Sequence, residues 1–74
     1  MTIQKIIGEN GVQPLLCKNG FCPAAVLTEE GEVFVQGYLP ADGENGQLNA
    51  PLGEGFVKMS KATFMTIARH VLAS

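Results

Sequence analysis

Glycine-centred turn signals recur through the first half of the chain at roughly ten-residue spacing, which is the spacing of short antiparallel strands. They are Asn10-Gly11, Asn19-Gly20 and Glu29-Glu30-Gly31. A two-residue type I′ hairpin turn needs positive φ at both central positions, and Asn-Gly meets that demand at the least steric cost. Gly31 suits the left-handed residue of a three-residue loop with a bulge. The runs between the turns have strand length, over residues 2–7, 12–17, 21–28 and 32–39. Connections this short join antiparallel neighbours, whereas a parallel pair needs a crossover of a dozen or more residues. The turns therefore predict an antiparallel meander over residues 2–39.

The run Glu32-Val-Phe-Val-Gln-Gly-Tyr-Leu39 is rich in β-branched and aromatic residues. Alternation puts Val33 and Val35 on one face and Phe34, Gln36 and Tyr38 on the other. Apolar side chains on both faces suggest a central strand, or one face kept for a second layer or a partner. Residues 40–54 read as a loop, since Asp42-Gly-Glu-Asn-Gly46, Pro51 and Gly53-Glu-Gly55 all resist regular structure. A loop of this length in a compact domain is functional or mobile. Residues 55–59 can add a fifth strand, and Ser60 is a good N-cap for a helix over 61–73. On that helix Phe64, Met65, Ile67, Ala68, Val71 and Leu72 fall within an arc of about 160°, with Thr63, Thr66, Arg69 and His70 opposite. The expected fold is α+β, with four to five antiparallel strands and one C-terminal amphipathic helix packed on one face.

With 74 residues there is room for one small domain and none for separate catalytic and cofactor domains. A hydrophobic fraction of 46% with only 16% charged residues excludes disorder. A single core of this size rarely yields more than about 3–5 kcal/mol, so a staple, a metal or a partner chain is expected. One helix cannot cover both faces of a sheet. The face bearing Phe34, Gln36 and Tyr38 is therefore the expected contact surface for a second copy (a homodimer) or another protein. The N-terminus lacks the apolar stretch and cleavage site of a secretory signal, and no run approaches 18 apolar residues. A cytoplasmic location follows as the expectation, with Cys17 and Cys22 reduced there.

Cys17-Lys-Asn-Gly-Phe-Cys22 is the most specific local feature. A two-residue turn at Asn19-Gly20 would set the two cysteines opposite each other at a non-hydrogen-bonded position, with Cα atoms about 4.5 Å apart, inside the disulfide range. Pro23 follows at once and has no N–H for the ladder, so the hairpin would splay beyond Cys22. Three readings stay open: two reduced, partly buried thiols; a disulfide or redox switch; and a metal site. The last is short of ligands, because His70 is the single histidine.

The charges are segregated. Residues 19–57 carry Glu29, Glu30, Glu32, Asp42, Glu44 and Glu54 with no Lys or Arg, whereas residues 58–74 carry Lys58, Lys61, Arg69 and His70 with no acid. The basic end could touch nucleic acid, but three cations on a chain of net charge −2 make a poor phosphate track. Asp42-Gly-Glu-Asn-Gly46 lacks the alternating acids and distal glutamate of a calcium loop. No phosphate-binding loop, nucleophile elbow or His-Glu-x-x-His occurs. The expectation is a non-enzymatic chain with no cofactor.

Cys17-x4-Cys22-Pro23-x2-Val26-x-Thr28-x2-Gly31, running on to Val35-Gln36-Gly37-Tyr38, resembles small uncharacterised bacterial proteins that are best represented in actinomycetes. Glu54-Gly-Phe-Val57 and the short helix after it match a later part of the same pattern. The resemblance covers about Cys17 to Leu72, mostly its first third, and departs from the pattern in the Gly-rich segment 40–54 and the low arginine content. Proteins of that kind are similar in size to small domains that accompany helix-turn-helix regulators. The resemblance thus implies a regulatory accessory role and no reaction.

Overall fold

The structure, a computed structural model, describes residues 1–14 and 23–73. Four strands, β1 (Ile3–Gly8), β2 (Gly11–Gln13), β3 (Ala24–Thr28) and β4 (Val33–Gln36), form one antiparallel sheet. Two helices follow, α1 (Asp42–Leu48) and α2 (Lys61–Ala73). The α+β class, the antiparallel sheet and the C-terminal helix are as the sequence implies.

The strand order is β2-β1-β3-β4, not the sequential order of a simple meander. Two hairpins are laid side by side, and β1 and β3 meet in the middle. The central strands are those with the most continuous apolar runs. Ala24-Ala25-Val26-Leu27 is buried throughout, as are Ile6 and Ile7, which is how a strand covered on both faces reads. The run 32–39, for which either a central strand or a face kept for a second layer or partner was expected, supplies the edge strand β4. Residues 12–17 and 21–28 were expected to pair across Asn19-Gly20. That turn and both cysteines lie outside the described residues, but β3 has β1 and β4 for neighbours, so β2 is not beside it.

The first hairpin turns one residue earlier than Asn10-Gly11. Gly8 pairs with Gly11, and Glu9 and Asn10 keep negative φ while Gly11 takes φ 103°. This is the pattern of a type I turn closed by a left-handed glycine, and it needs positive φ once rather than twice. The second hairpin forms around Gly31 at φ 87° as anticipated. The Thr28 hydroxyl fastens it, donating to Glu32 O at 3.1 Å and accepting from Glu32 N–H at 3.0 Å. Gln4 is an extra residue against β3, since Ile3 faces Thr28 and Lys5 faces Leu27.

Ile7, Ala25 and Leu27 of the sheet meet Ile67 of α2, with Met59 and Val71 packed alongside. Ser60 caps α2 through Thr63 N–H to Ser60 Oγ at 3.1 Å, as the sequence suggests. The rotation of α2 differs from expectation. Its packed side carries Thr63, Ile67, His70 and Val71, while Phe64, Met65 and Leu72 are exposed, so the helix is turned by roughly 100° from its apolar arc. His70, expected on the solvent side, is partly buried. Its ring lies over Gly11, where a Cβ would come within 2.9 Å of Nε2. Nδ1–H donates to Thr66 O at 2.8 Å.

The segment 40–54 contains α1 where a loop was expected. Two glycines in seven residues weaken a helix by roughly 1 kcal/mol each. Its ends offset part of that cost: Glu44 Oε1 accepts the Ala41 N–H at 2.8 Å, and Asn49 ends it in a left-handed conformation at φ 52°. The expected fifth strand is reduced to a single antiparallel bridge between Tyr38 and Lys58.

Candidate functional site

Hydrogen-bonded and non-bonded pairs alternate along an antiparallel ladder. Thr28 N–H donates to Glu32 O at 3.0 Å and its C=O accepts from Gly31 N–H at 3.1 Å, so both Thr28 backbone groups turn toward the strand that follows. Phe34 opposite Val26 and Gln36 opposite Ala24 therefore turn their backbone groups toward β3. Val33 and Val35 turn their N–H and C=O groups outward. All four residues of β4 are exposed. α2 packs mainly on β1 and β2, and near β4 its Lys61 and Phe64 border an open groove with Val35.

Side-chain direction follows the same register. Val33 and Val35 pair with Leu27 and Ala25, on the α2 side of the sheet. Phe34 and Gln36 share the other side with Ile6, Ala24 and Val26. The expected free face is thus narrower than a whole sheet, because Ile6, Ala24 and Val26 are buried while Phe34 keeps 49% of its surface exposed. Tyr38 lies past the end of β4, where its backbone exchanges two hydrogen bonds with Lys58, N–H to O at 2.8 and 2.7 Å. Gly37 permits this approach, since a Cβ there would meet the Lys58 carbonyl oxygen at 2.9 Å.

On the α2 side, the bridge and α1 wall a groove of about 640 Å³, which includes Val35, Leu48, Phe56, Val57, Met59 and Phe64. Three of the four phenylalanines, Phe34, Phe56 and Phe64, are exposed here or on β4, and the fourth, Phe21, lies outside the described residues. Sequence reading missed the groove because it assigned Phe64 to the buried helix face and left 40–54 unstructured. A cluster of apolar residues in a segment of weak propensity (Leu48, Phe56, Val57) was the available signal.

One ion pair pins α1 to the bridge. Lys58 Nζ lies 3.0 Å from both Glu44 carboxylate oxygens. The Ala41 N–H, and then Lys58 through its hydrogen bond and charge, hold the Glu44 carboxyl below its ordinary value. The Thr2 N–H does the same at Glu30. A carboxyl depressed on folding adds stability above its unfolded value near 4.5, and that stability is lost as pH falls through the folded value. Acidification below the carboxylate range should therefore release α1 before the sheet. The Asn45 and Asn49 amides, bonded at 2.9 and 2.8 Å, should lose exchange protection first, and Glu44→Gln should reproduce that loss at neutral pH. Equal protection of both amides in wild type and variant at pH 7 would show that the clamp does not hold α1.

Cys17 and Cys22 lie outside the described residues. Among the described residues no three His, Cys, Asp or Glu side chains converge on a point that could hold a metal ion. The basic end is not one patch: Lys58 is paired with Glu44, Lys61 lines the groove and His70 faces the sheet. No described helix is long and apolar enough to cross a membrane. Compared with protein-family models, curated proteins and solved structures, the chain matches none. What the geometry offers among the described residues is contact area: a strand edge that none of them pairs with, apolar side chains on both of its sides and an adjoining open groove.

Proposed function

We propose that this chain is a non-catalytic protein-interaction module with a regulatory accessory role, which self-associates or binds another protein through β4 and its surroundings. The observation that carries this reading is β4 itself, a Val-Phe-Val-Gln strand with its side chains exposed on both faces. Large apolar residues left in water cost free energy that a partner recovers at about 25 cal/mol per Å² covered. Shape supports it as well. The radius of gyration is 13.2 Å, against about 11 Å for a compact chain of this length. The groove is lined mostly by aromatic and aliphatic side chains, with Glu44, Lys58 and Lys61 also in its wall, a mixture found at contact surfaces.

Phe34, Gln36 and Tyr38 are the contact residues of this reading. Phe34→Glu or Tyr38→Glu should abolish dimer or partner binding, at least a roughly hundredfold loss if either is an anchor, while circular dichroism shows a folded chain. Light scattering and retention on affinity beads would measure it. A monomer at high concentration that retains no partner on the beads would remove the reading.

A further inference from the structure

We propose that the partner is a second copy of this chain, and that the two pair edge to edge, β4 against β4, about a two-fold axis at Phe34. The inference rests on the interaction-module reading and names its occupant. An unprotected edge strand is a template for pairing, and natural edges are blunted with charges, proline, bulges or shortness. The two edges of this sheet differ in that respect. β2 has three residues and runs directly into Pro14, which has no N–H. β4 has four residues with no charge and no proline, and its register against β3 is regular.

The outward backbone groups fix how two copies can meet. Only Val33 and Val35 direct N–H and C=O to the free edge, so Val33 of one copy must exchange hydrogen bonds with an outward residue of the other. With the axis at Phe34, Val33 pairs with Val35 of the second copy, and the reverse, giving two reciprocal bonded pairs. The two Phe34 side chains then face each other at a non-bonded position, with Cα atoms about 4.5 Å apart, where aromatic pairs stabilise a sheet.

Charge selects this register over its neighbours. Placing the axis at Phe34 sets Glu32 opposite Gln36 of the second copy on both sides, so each carboxylate meets an amide that can donate to it. An axis at Val33 would set Glu32 against Phe34, and an axis at Val35 would set Gln36 against Phe34. The first leaves the carboxylate against an apolar ring, and the second sets it against Tyr38, which lies outside β4 with its backbone already bonded to Lys58. The axis stands perpendicular to the sheet, so both α2 helices lie on one side. The two grooves then adjoin across a floor of Val33 and Val35 from each copy.

The full chain provides the test. Native mass spectrometry and light scattering over a concentration series should show a dimer. In amide exchange, Val33 and Val35 should become protected as the dimer forms, whereas Phe34 and Gln36 are protected at every concentration. Gln36→Glu sets like charges opposite each other twice and should weaken the dimer by roughly tenfold. Adding Glu32→Lys to that variant should restore it, which a general loss of folding would not allow. A dimer whose Val33 and Val35 amides exchange freely would overturn the edge pairing and leave the interaction reading intact. A chain that stays monomeric but retains another protein on beads would overturn the second copy as occupant and still leave that reading standing. A monomer that retains nothing would remove both.

Discussion

Ile7→Ala is expected to leave the domain largely unfolded at room temperature. Ile7 is fully buried, at 0% exposure, and sits where β1, β3 and α2 converge, against Ala25, Leu27 and Ile67. Truncating a buried isoleucine removes its transfer free energy and leaves a cavity, about 2–5 kcal/mol together. A core of this size supplies only about 3–5 kcal/mol, so the loss is comparable to the whole. The alanines beside it make relaxation harder, because Ala25 has no side chain long enough to move into the void. Urea titration followed by circular dichroism measures the effect, with Ile7→Val as the graded control at about 0.5–1.5 kcal/mol. A loss below roughly 1 kcal/mol for the alanine variant would mean that Ile7 is not the centre of the core.

Gly11→Ala should cost the next most, about 2 kcal/mol or more, for two separable reasons. At φ 103° an L-residue carries a steric penalty of about 1–2 kcal/mol. The new Cβ would also stand 2.9 Å from His70 Nε2, so the ring must move away from the β1–β2 turn. His70 is held by its Nδ1–H bond to Thr66 O, and moving it disturbs the last turns of α2. A double-mutant cycle with His70→Ala separates the two parts. The backbone penalty should survive the second change and the contact penalty should vanish. Additive stabilities across the cycle would sink the claim that turn and helix are packed through this pair.

The features legible in the sequence were those set by local chemistry. Gly31 predicted its turn because a left-handed residue was needed there, and Ser60 predicted the start of α2 because its hydroxyl reaches Thr63 N–H. The alternation in 32–39 placed Val33 and Val35 on one side of the sheet and Phe34 and Gln36 on the other, as the register shows. The missed features were non-local. Turn signals say where a chain reverses but not which of two free edges the next strand takes, so β1 beside β3 could not be read from them. The apolar arc of α2 was read as wholly buried, yet Thr63 and His70 pack on the sheet while Phe64 and Leu72 face outward. Helix rotation is set by what fits over Gly11 and Ala25, and one helix's own sequence does not contain that. α1 was missed because its propensity is poor and its support comes from Lys58, fourteen residues from Glu44.

The same distinction applies to the candidate contact surface. Alternation alone named Phe34 and Gln36 as neighbours on one face. That β4 lies at an edge, and that the outward backbone groups belong to Val33 and Val35, required the order of the strands. The groove required the rotation of α2, the presence of α1 and the Tyr38–Lys58 bridge together.

That bridge also orders the assembly of the molecule in time. The two hairpins close over two or three residues, whereas Tyr38 and Lys58 must find each other across everything between them, and the entropy of closing a loop grows with its length. Local closures come first on these grounds, and the clasp at Gly37 comes after a sheet exists to receive it. The clasp is then expected to close after the hairpins, whereas Ile67 of α2 belongs to the core itself. The groove walled by that clasp therefore depends on a much longer loop closure than either hairpin requires.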